Sequence, residues 1–334
     1  MPKGKTPEET IDNAFQKTAA VLFASKKASV SISGGSDSDI MLDLVVKVAR
    51  QTDLMDKVSF VFFDTGIEYE ATKRHLDYLE NRYGIKIERL RAKTPVPLGC
   101  KTYGLPFLTK FVSDMIGRLQ KANFDWKRDG CKSYDELVGL YPRSKTALYW
   151  WCDALGRQGR SFFEISRFPF LKEFLIENPP DFAISDKCCH GAKKVNGAEY
   201  AKKVGADVQF LGLRKAEGGI RAASNTCWDR TVGKFKPIFW FDDNDKRVYE
   251  DEFGIVHSDC YTKYGYKRTG CSGCPFNSRY KEDLARIEEA EPNLVKAARN
   301  IFGKSYEYTE KYKIFKARMQ KNPEQEVIDF AEIH

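Results

Sequence analysis

The sequence has only four histidines in 334 residues. A metal centre built mainly on imidazole is therefore not expected; a metal site here would rest on sulfur or oxygen. Long apolar runs are missing as well, which excludes a transmembrane helix. The opening residues, Met1-Pro2-Lys3-Gly4-Lys5-Thr6-Pro7, lack the apolar core of a signal peptide. A cytoplasmic protein without a membrane partner is the expectation. No internal repeat, low-complexity tract or long basic run breaks the chain. With disulfides disfavoured in such a compartment, nine cysteines point to metal or reactive thiols.

What is present begins at residues 29–39, Ser-Val-Ser-Ile-Ser-Gly-Gly-Ser-Asp-Ser-Asp. Val30 and Ile32 alternate with small polar residues, as a short strand does. Gly34 and Gly35 make a turn, and Ile40 to Val46 read as a helix. A strand, a glycine turn and a helix N-terminus together form an anion site: the turn offers N–H groups, glycine lets a phosphate approach, and the helix dipole favours negative charge. The turn carries neither the Gly-Lys-Ser/Thr of a Walker loop nor Gly-x-Gly-x-x-Gly. A plain capped turn is the competing reading. The formal charge of +8 suits a phosphate-bearing substrate or a nucleic acid, and equally a generic basic enzyme.

The remaining pattern predicts an α/β fold with a doubly wound parallel sheet. A helix over 8–26 precedes strands at 28–33, 58–63 and 85–90, with helices at 37–51 and roughly 67–83 between them. The run Val58-Ser59-Phe60-Val61-Phe62-Phe63 marks a buried parallel strand and ends in Asp64-Thr65-Gly66. Phe182–Ser185 and Val208–Leu213 read as further strands, Lys236–Trp240 as extended, and 243–253 as a helix; after Pro275 the chain reads as helical, with a fraying last dozen residues. The expected organisation is an N-terminal helix (1–27), a nucleotide-binding α/β domain (28–94 and 181–240), a helical insertion (95–180) and a C-terminal cluster-binding and helical region (241–334). Trp126, Trp150 and Trp151 in the insertion are a partner surface or, more commonly for aromatics, core.

Four cysteines form two close pairs, Cys188-Cys189 and Cys271-Ser272-Gly273-Cys274. Adjacent thiolates crowd one zinc but can serve different irons of a cubane, so the chemistry favours a 4Fe–4S site; a four-thiolate zinc site and unrelated buried thiols stay open. The other five show no ligand spacing, and Cys260 lies nearest the second pair.

Ser33-Gly34-Gly35-Ser36-Asp37-Ser38 resembles the PP-loop signature of the ATP pyrophosphatases, the adenine nucleotide alpha-hydrolase-like enzymes that split ATP between its α and β phosphates. Asp64-Thr65-Gly66-Ile67-Glu68, Cys188-Cys189-His190-Gly191-Ala192-Lys193 and Cys271-Ser272-Gly273-Cys274 resemble, in that order, motifs of the phosphoadenylyl-sulfate (PAPS) reductase branch. The resemblance spans about 28–280 without the insertion. It implies that Ser33, Gly34, Gly35, Ser36 and Ser38 cradle phosphates, that Asp37 helps hold Mg²⁺ or the loop, and that Asp64 and Gly66 sit by the nucleotide. It implies further that Lys193 links the cluster region to the substrate, and that Cys188, Cys189, Cys271 and Cys274 hold a 4Fe–4S cluster. Arg214 and Arg221 suit phosphate or sulfate, with surface ion pairs as the competing reading.

The reductases of this branch attack sulfur with a cysteine in a C-terminal Glu-Cys-Gly-x-His segment, and no cysteine follows Cys274 here. The expectation is therefore an ATP- and Mg²⁺-dependent adenylating enzyme. Its cluster would serve sulfur transfer to nucleic acid, in the manner of DNA phosphorothioation components or tRNA thiolases, with a sulfur donor such as a cysteine desulfurase as partner. A reductase borrowing Cys260 or a partner's thiol, and a nucleotide-binding subunit without turnover, are the alternatives.

Overall fold

The computed structural model describes Gly4 and residues 6–157, 159–161, 163–218, 221–222 and 224–321, with Lys194 given by its backbone only. The described residues fall into two compact units. One comprises Met1–Val96, Cys189–Ser272 and Lys281–Val295; the other comprises Pro97–Cys188, Gly273–Tyr280 and the chain from Lys296. Among the described residues no helix is long and apolar enough to cross a membrane.

The first unit holds a six-stranded sheet in the order β3-β2-β1-β4-β6-β5. Strand β1 (Ala28–Ile32) lies between β2 (Val58–Asp64) and β4 (Val208–Leu211), parallel to both: Val30 pairs with Phe60 on one side and Phe210 on the other. Strand β3 (Ile87–Arg91) continues the parallel pairing beyond β2, and the short antiparallel pair β5 (Trp228–Asp229) and β6 (Lys234–Phe235) closes the far edge. This is the expected α/β, mostly parallel architecture. From β1 the chain winds outward one way through β2 and β3, then returns to β1's other side at β4. The carboxyl ends of β1 and β4 thus form the topological switch point, where open α/β sheets place their ligands.

Helix α1 (Pro7–Ala24) starts at Thr6, whose hydroxyl accepts from Glu9 N–H, with proline in the first turn. Helix α2 (Ser36–Gln51) is buried over most of its surface, from Ser36 and Ser38 to Val48 and Ala49, with Ile40 to Val46 supplying its apolar body. Its one buried acid in mid-helix, Asp43, receives Tyr83 and Tyr249 hydroxyls at 2.9 and 2.7 Å and Lys47 at 2.7 Å, so the carboxylate is fully compensated.

Three local expectations need correcting. Helix α3 (Glu70–Tyr83) starts three residues later than the pattern suggested. Its first N–H groups, at Glu70 and Ala71, donate to the Glu291 carboxylate at 2.9 and 3.2 Å, so the cap comes from far along the chain. Phe182–Ser185 is no sheet strand; it makes one isolated parallel bridge, Leu105 to Ile184, in the second unit. Lys236–Trp240 is not extended: the strand is Lys234–Phe235, and Pro237–Trp240 turns, burying Ile238 and Phe239. The helix Asp243–Phe253 falls where the pattern placed it.

The second unit is helical around an aromatic core. Phe107, Trp126, Trp150, Trp151, Phe174 and Phe315 are buried in it. The three insertion tryptophans are therefore core. The long helix Pro292–Lys321, which belongs to this unit from Lys296 on, lays Tyr308, Tyr312, Phe315 and Met319 into the same cluster. The fraying expected for the last dozen residues lies outside the described residues.

Candidate nucleotide site

The loop after β1 is shaped by its own side chains. Gly34 adopts φ +66°, and a Cβ there would lie 2.7 Å from the Thr72 methyl, so only glycine fits on both counts. Ser33 N–H donates to the Ser38 hydroxyl at 3.0 Å. Gly35 is the N-cap of α2 and supplies no side-chain cap, which leaves the helix N-terminus without the usual internal acceptor. Ser36 N–H donates to the Tyr261 hydroxyl at 3.0 Å, and that hydroxyl lies 3.1 Å from the Thr269 hydroxyl. A glycine turn running into a helix N-terminus has the chemistry that suits an anion.

Two cations reach it from the far side of the switch point. Arg214, just past β4, is 8% exposed and sets its Nε 2.9 Å from Asp37 Oδ1. Its Nη1 lies 2.9 Å from Asp243. Lys246, from the helix Asp243–Phe253, places Nζ 3.0 Å from the same Asp37 oxygen and donates to the Ser36 hydroxyl. Burial works against the charge of Arg214, and Asp37 and Asp243 more than restore it. The approach is close because glycine follows β4 at position 212: a Cβ there would meet the Asp37 carbonyl oxygen at 2.8 Å.

The expected loop residues Ser33, Gly34, Gly35, Ser36, Asp37 and Ser38 are thus brought together with Arg214. Asp64 ends β2 and folds over its own turn, accepting Gly66 N–H at 2.8 Å. Arg221 is not on the loop: it pairs with Glu217, which also accepts Arg214 N–H at 3.2 Å and Arg268 at 2.6 Å. Lys246, Tyr261, Thr269 and Thr72 were missed. Lys246 stands among Asp and Arg in a helix that reads as surface, and no local signal ties it to a loop some 200 residues earlier.

A second group lies in the same unit. Thr65 Oγ1 donates to Glu68 at 2.5 Å and sits 3.8 Å from Cys271 Sγ. Burial pushes the Glu68 carboxyl up, while Lys193 and the Thr65 hydrogen bonds pull it down. Burial likewise raises the Cys271 thiol, with Lys193 opposing and Glu68 and Cys189 adding to the rise. Lys193 itself stands in a π-helical turn, His190–Lys194, a backbone irregularity common at functional sites. Cys188 and Cys274 belong to the other unit. Among the described residues no group of three or more His, Cys, Asp or Glu is disposed to hold a metal ion. Cys260 is fully buried beside Thr72, and burial pushes its thiol up to about 11, which argues against it as an attacking thiolate.

The loop, β1 to β3 and the two helices between them coincide with one known family. Residues 27–110 match the family model described as the phosphoadenosine phosphosulfate reductase domain. The matched segment covers about a quarter of the chain and includes Ser33–Ser38, Asp64 and Gly66, but not Lys193, Arg214 or the cysteine pairs. The uncharacterized protein MJ0066 of Methanocaldococcus jannaschii is 26% identical over 308 residues, 91% of this chain and 45% of the relative. The chain thus spans about half the length of that curated relative. Among solved structures, the PAPS reductase of Candida auris in its phosphate complex aligns at TM-score 0.37 and 14% identity, over 81% of this chain and 98% of that one. The U34-tRNA thiolase NcsA of Methanococcus maripaludis, with its [4Fe-4S] cluster, aligns at 0.36 and 12%, over 93% and 80%. The NH3-dependent NAD synthetase of Campylobacter jejuni aligns at 0.36 and 10%, over 89% and 96%.

Proposed function

We propose that the chain binds ATP at the β1–β4 switch point and, with Mg²⁺, cleaves it between the α and β phosphates, adenylating an acceptor. The observation that carries this is the convergence of Arg214 and Lys246 on the first turn of α2, beside a glycine loop whose N-cap residue offers no side-chain acceptor. The loop N–H groups and the Ser33, Ser36 and Ser38 hydroxyls bind the phosphates. Arg214 and Lys246 exchange Asp37 for phosphate oxygens and meet the charge that grows on departing pyrophosphate. Asp37 and Asp64 are hard oxygen donors that suit Mg²⁺, which when bound supplies Lewis-acid charge neutralisation.

The acceptor we assign to nucleic acid and the subsequent chemistry to sulfur transfer, with a sulfur donor such as a cysteine desulfurase as partner. Cys188, Cys189, Cys271 and Cys274 would hold a 4Fe–4S cluster, whose chemistry is to hold or relay sulfur. Four thiolates are the soft donors such a cluster takes; in the first unit Cys189 adds to the rise of the Cys271 thiol and Lys193 opposes it. Lys193 orients the substrate's charged group from its π-helical turn.

Incubation with α-labelled ATP, Mg²⁺ and nucleic acid should release AMP or adenylated acceptor together with pyrophosphate. ADP as the sole product would overturn the cleavage, and tight ATP binding with no product in any mixture would leave a nucleotide-binding subunit. Anaerobic purification should yield about four irons and four sulfides per chain; zinc without iron would overturn the cluster.

A further inference from the structure

We propose that the exposed face of the Pro292–Lys321 helix is a docking surface for a nucleic-acid backbone. The helix carries eight Lys or Arg and only two Glu. At about 100° per residue, Lys296, Arg299, Lys304, Lys311, Arg318 and Lys321 fall within one stripe, and all six are exposed. From Lys296 to Lys321 the stripe runs about 37 Å at 1.5 Å per residue, with Lys304, Lys311 and Arg318 about 10 Å apart. Among the described residues Lys296, Lys304 and Lys311 form no ion pair.

A row of like charges on one helix face is self-repelling. A merely solvated helix relieves that by interleaving acids at one-turn spacing; here two acids, Glu307 and Glu310, stand within the stripe against six bases, Glu310 pairs with Lys313 outside it, and Arg318 reaches Glu177 at 3.6 Å. The opposite face is buried in the aromatic core through Tyr308, Tyr312, Phe315 and Met319, so the helix cannot roll to hide its charge. A rigid, linear, basic surface of this length matches a polyanion with regularly spaced phosphates. An anionic membrane is the other polyanionic surface. An interfacial helix, however, needs an exposed apolar face to insert, and this stripe offers only Ile314. The observations therefore favour nucleic acid.

The inference rests on the proposed reading only for the role of the bound strand, as its acceptor. The test is fluorescence anisotropy with a labelled duplex of about 30 base pairs and with its single strand, across a salt series. The full-length chain should bind at least one of them. The triple variant K296Q/K304Q/K311Q should bind about tenfold or more weakly, with the slope of log K on log salt reduced by about two to three. Lys203→Gln, an exposed lysine paired with Glu88 on the other unit, should bind as the wild type does. Should the triple variant fail to fold, Lys304→Gln and Lys311→Gln singly decide, each weakening binding about two- to threefold. Unchanged affinity in these variants, no binding by the wild type, or flotation with phosphatidylserine vesicles without nucleic-acid binding overturns the proposal. Pyrophosphate release is read separately: binding lost in the triple variant without any ATP cleavage in the wild type sinks the enzymatic reading alone, and cleavage with unaltered strand binding in the variant sinks the surface alone.

Discussion

His257 holds Asp39 in the first turn of the loop helix: its Nδ1 lies 2.8 Å from Asp39 Oδ2, and its Nε2 lies 2.8 Å from Glu250 Oε1. Both ring nitrogens face carboxylates, so both carry hydrogens and the ring is an imidazolium. His75 Nε2 joins the same Asp39 oxygen at 3.0 Å, and Glu250 is also 3.7 Å from Lys246. The Tyr261 ring completes the surroundings, 5.6 Å away.

This bridge gives the fold a basic limit. Burial alone would depress the imidazolium, but the hydrogen bonds to Asp39 and Glu250 and their charges outweigh it and raise the pKa to about 9. A raised folded-state value stabilises fully below the ordinary histidine value of about 6.5, and that contribution fades as pH climbs through about 9. The full amount is about 3 kcal/mol by linkage. Urea midpoints should fall between pH 6.5 and 10 in the wild type and stay flatter in His257→Asn. Parallel profiles would remove His257 as the cause.

Arg214 and Lys246 should matter to nucleotide more than to folding, with Arg214 the costlier of the two to remove. Lys246→Ala gives up one charge-assisted contact, about 1.5–3 kcal/mol or roughly 10- to 100-fold in ATP affinity. Arg214→Ala also takes a partner from the largely buried Asp37, so the melting temperature drops as well, while the exposed Asp243 loses little. Calorimetric titration with ATP and Mg²⁺ checks both, and full affinity in Lys246→Ala refutes the assignment.

Gly34 tests the loop geometry. Gly34→Ala adds a left-handed penalty of about 1 kcal/mol and a contact with the Thr72 methyl. Thr72→Ser removes that methyl, so the double variant should recover part of the lost ATP affinity while the backbone penalty persists. Equal affinities for the single and the double variant would mean that the methyl contact is not what matters.

The insertion should behave as core. Trp151 is fully buried and donates its indole N–H to the Gly130 carbonyl at 3.0 Å. Trp151→Ala should cost about 3–5 kcal/mol in denaturant unfolding. An unaltered midpoint would show that the aromatic cluster carries no stability.

What could be read from the chain alone was local. β1, the glycine turn and β2 announce themselves because alternation, glycine and an unbroken apolar run act over a few residues. The start of α3 was misplaced because its cap is Glu291, and Pro237–Trp240 passed for extended because apolar residues in a buried turn look like a strand. Phe182–Ser185 had the composition of a strand without a neighbour to pair along it. In the site, the loop and Arg214 were legible from motif and charge chemistry. Lys246 and Tyr261 were not, since their meaning depends on Asp37 and Ser36 lying next to them in space.

The order in which the chain arrives also has a consequence for its synthesis. The loop is complete by residue 38, yet its central strand gains its second neighbour only with β4, and its two cations come with Arg214 and Lys246. Loop closure over such distances is slow relative to local structure. A nascent chain that has emerged through β3 carries the glycine turn but not the two cations, so the site is complete only once Lys246 has left the ribosome.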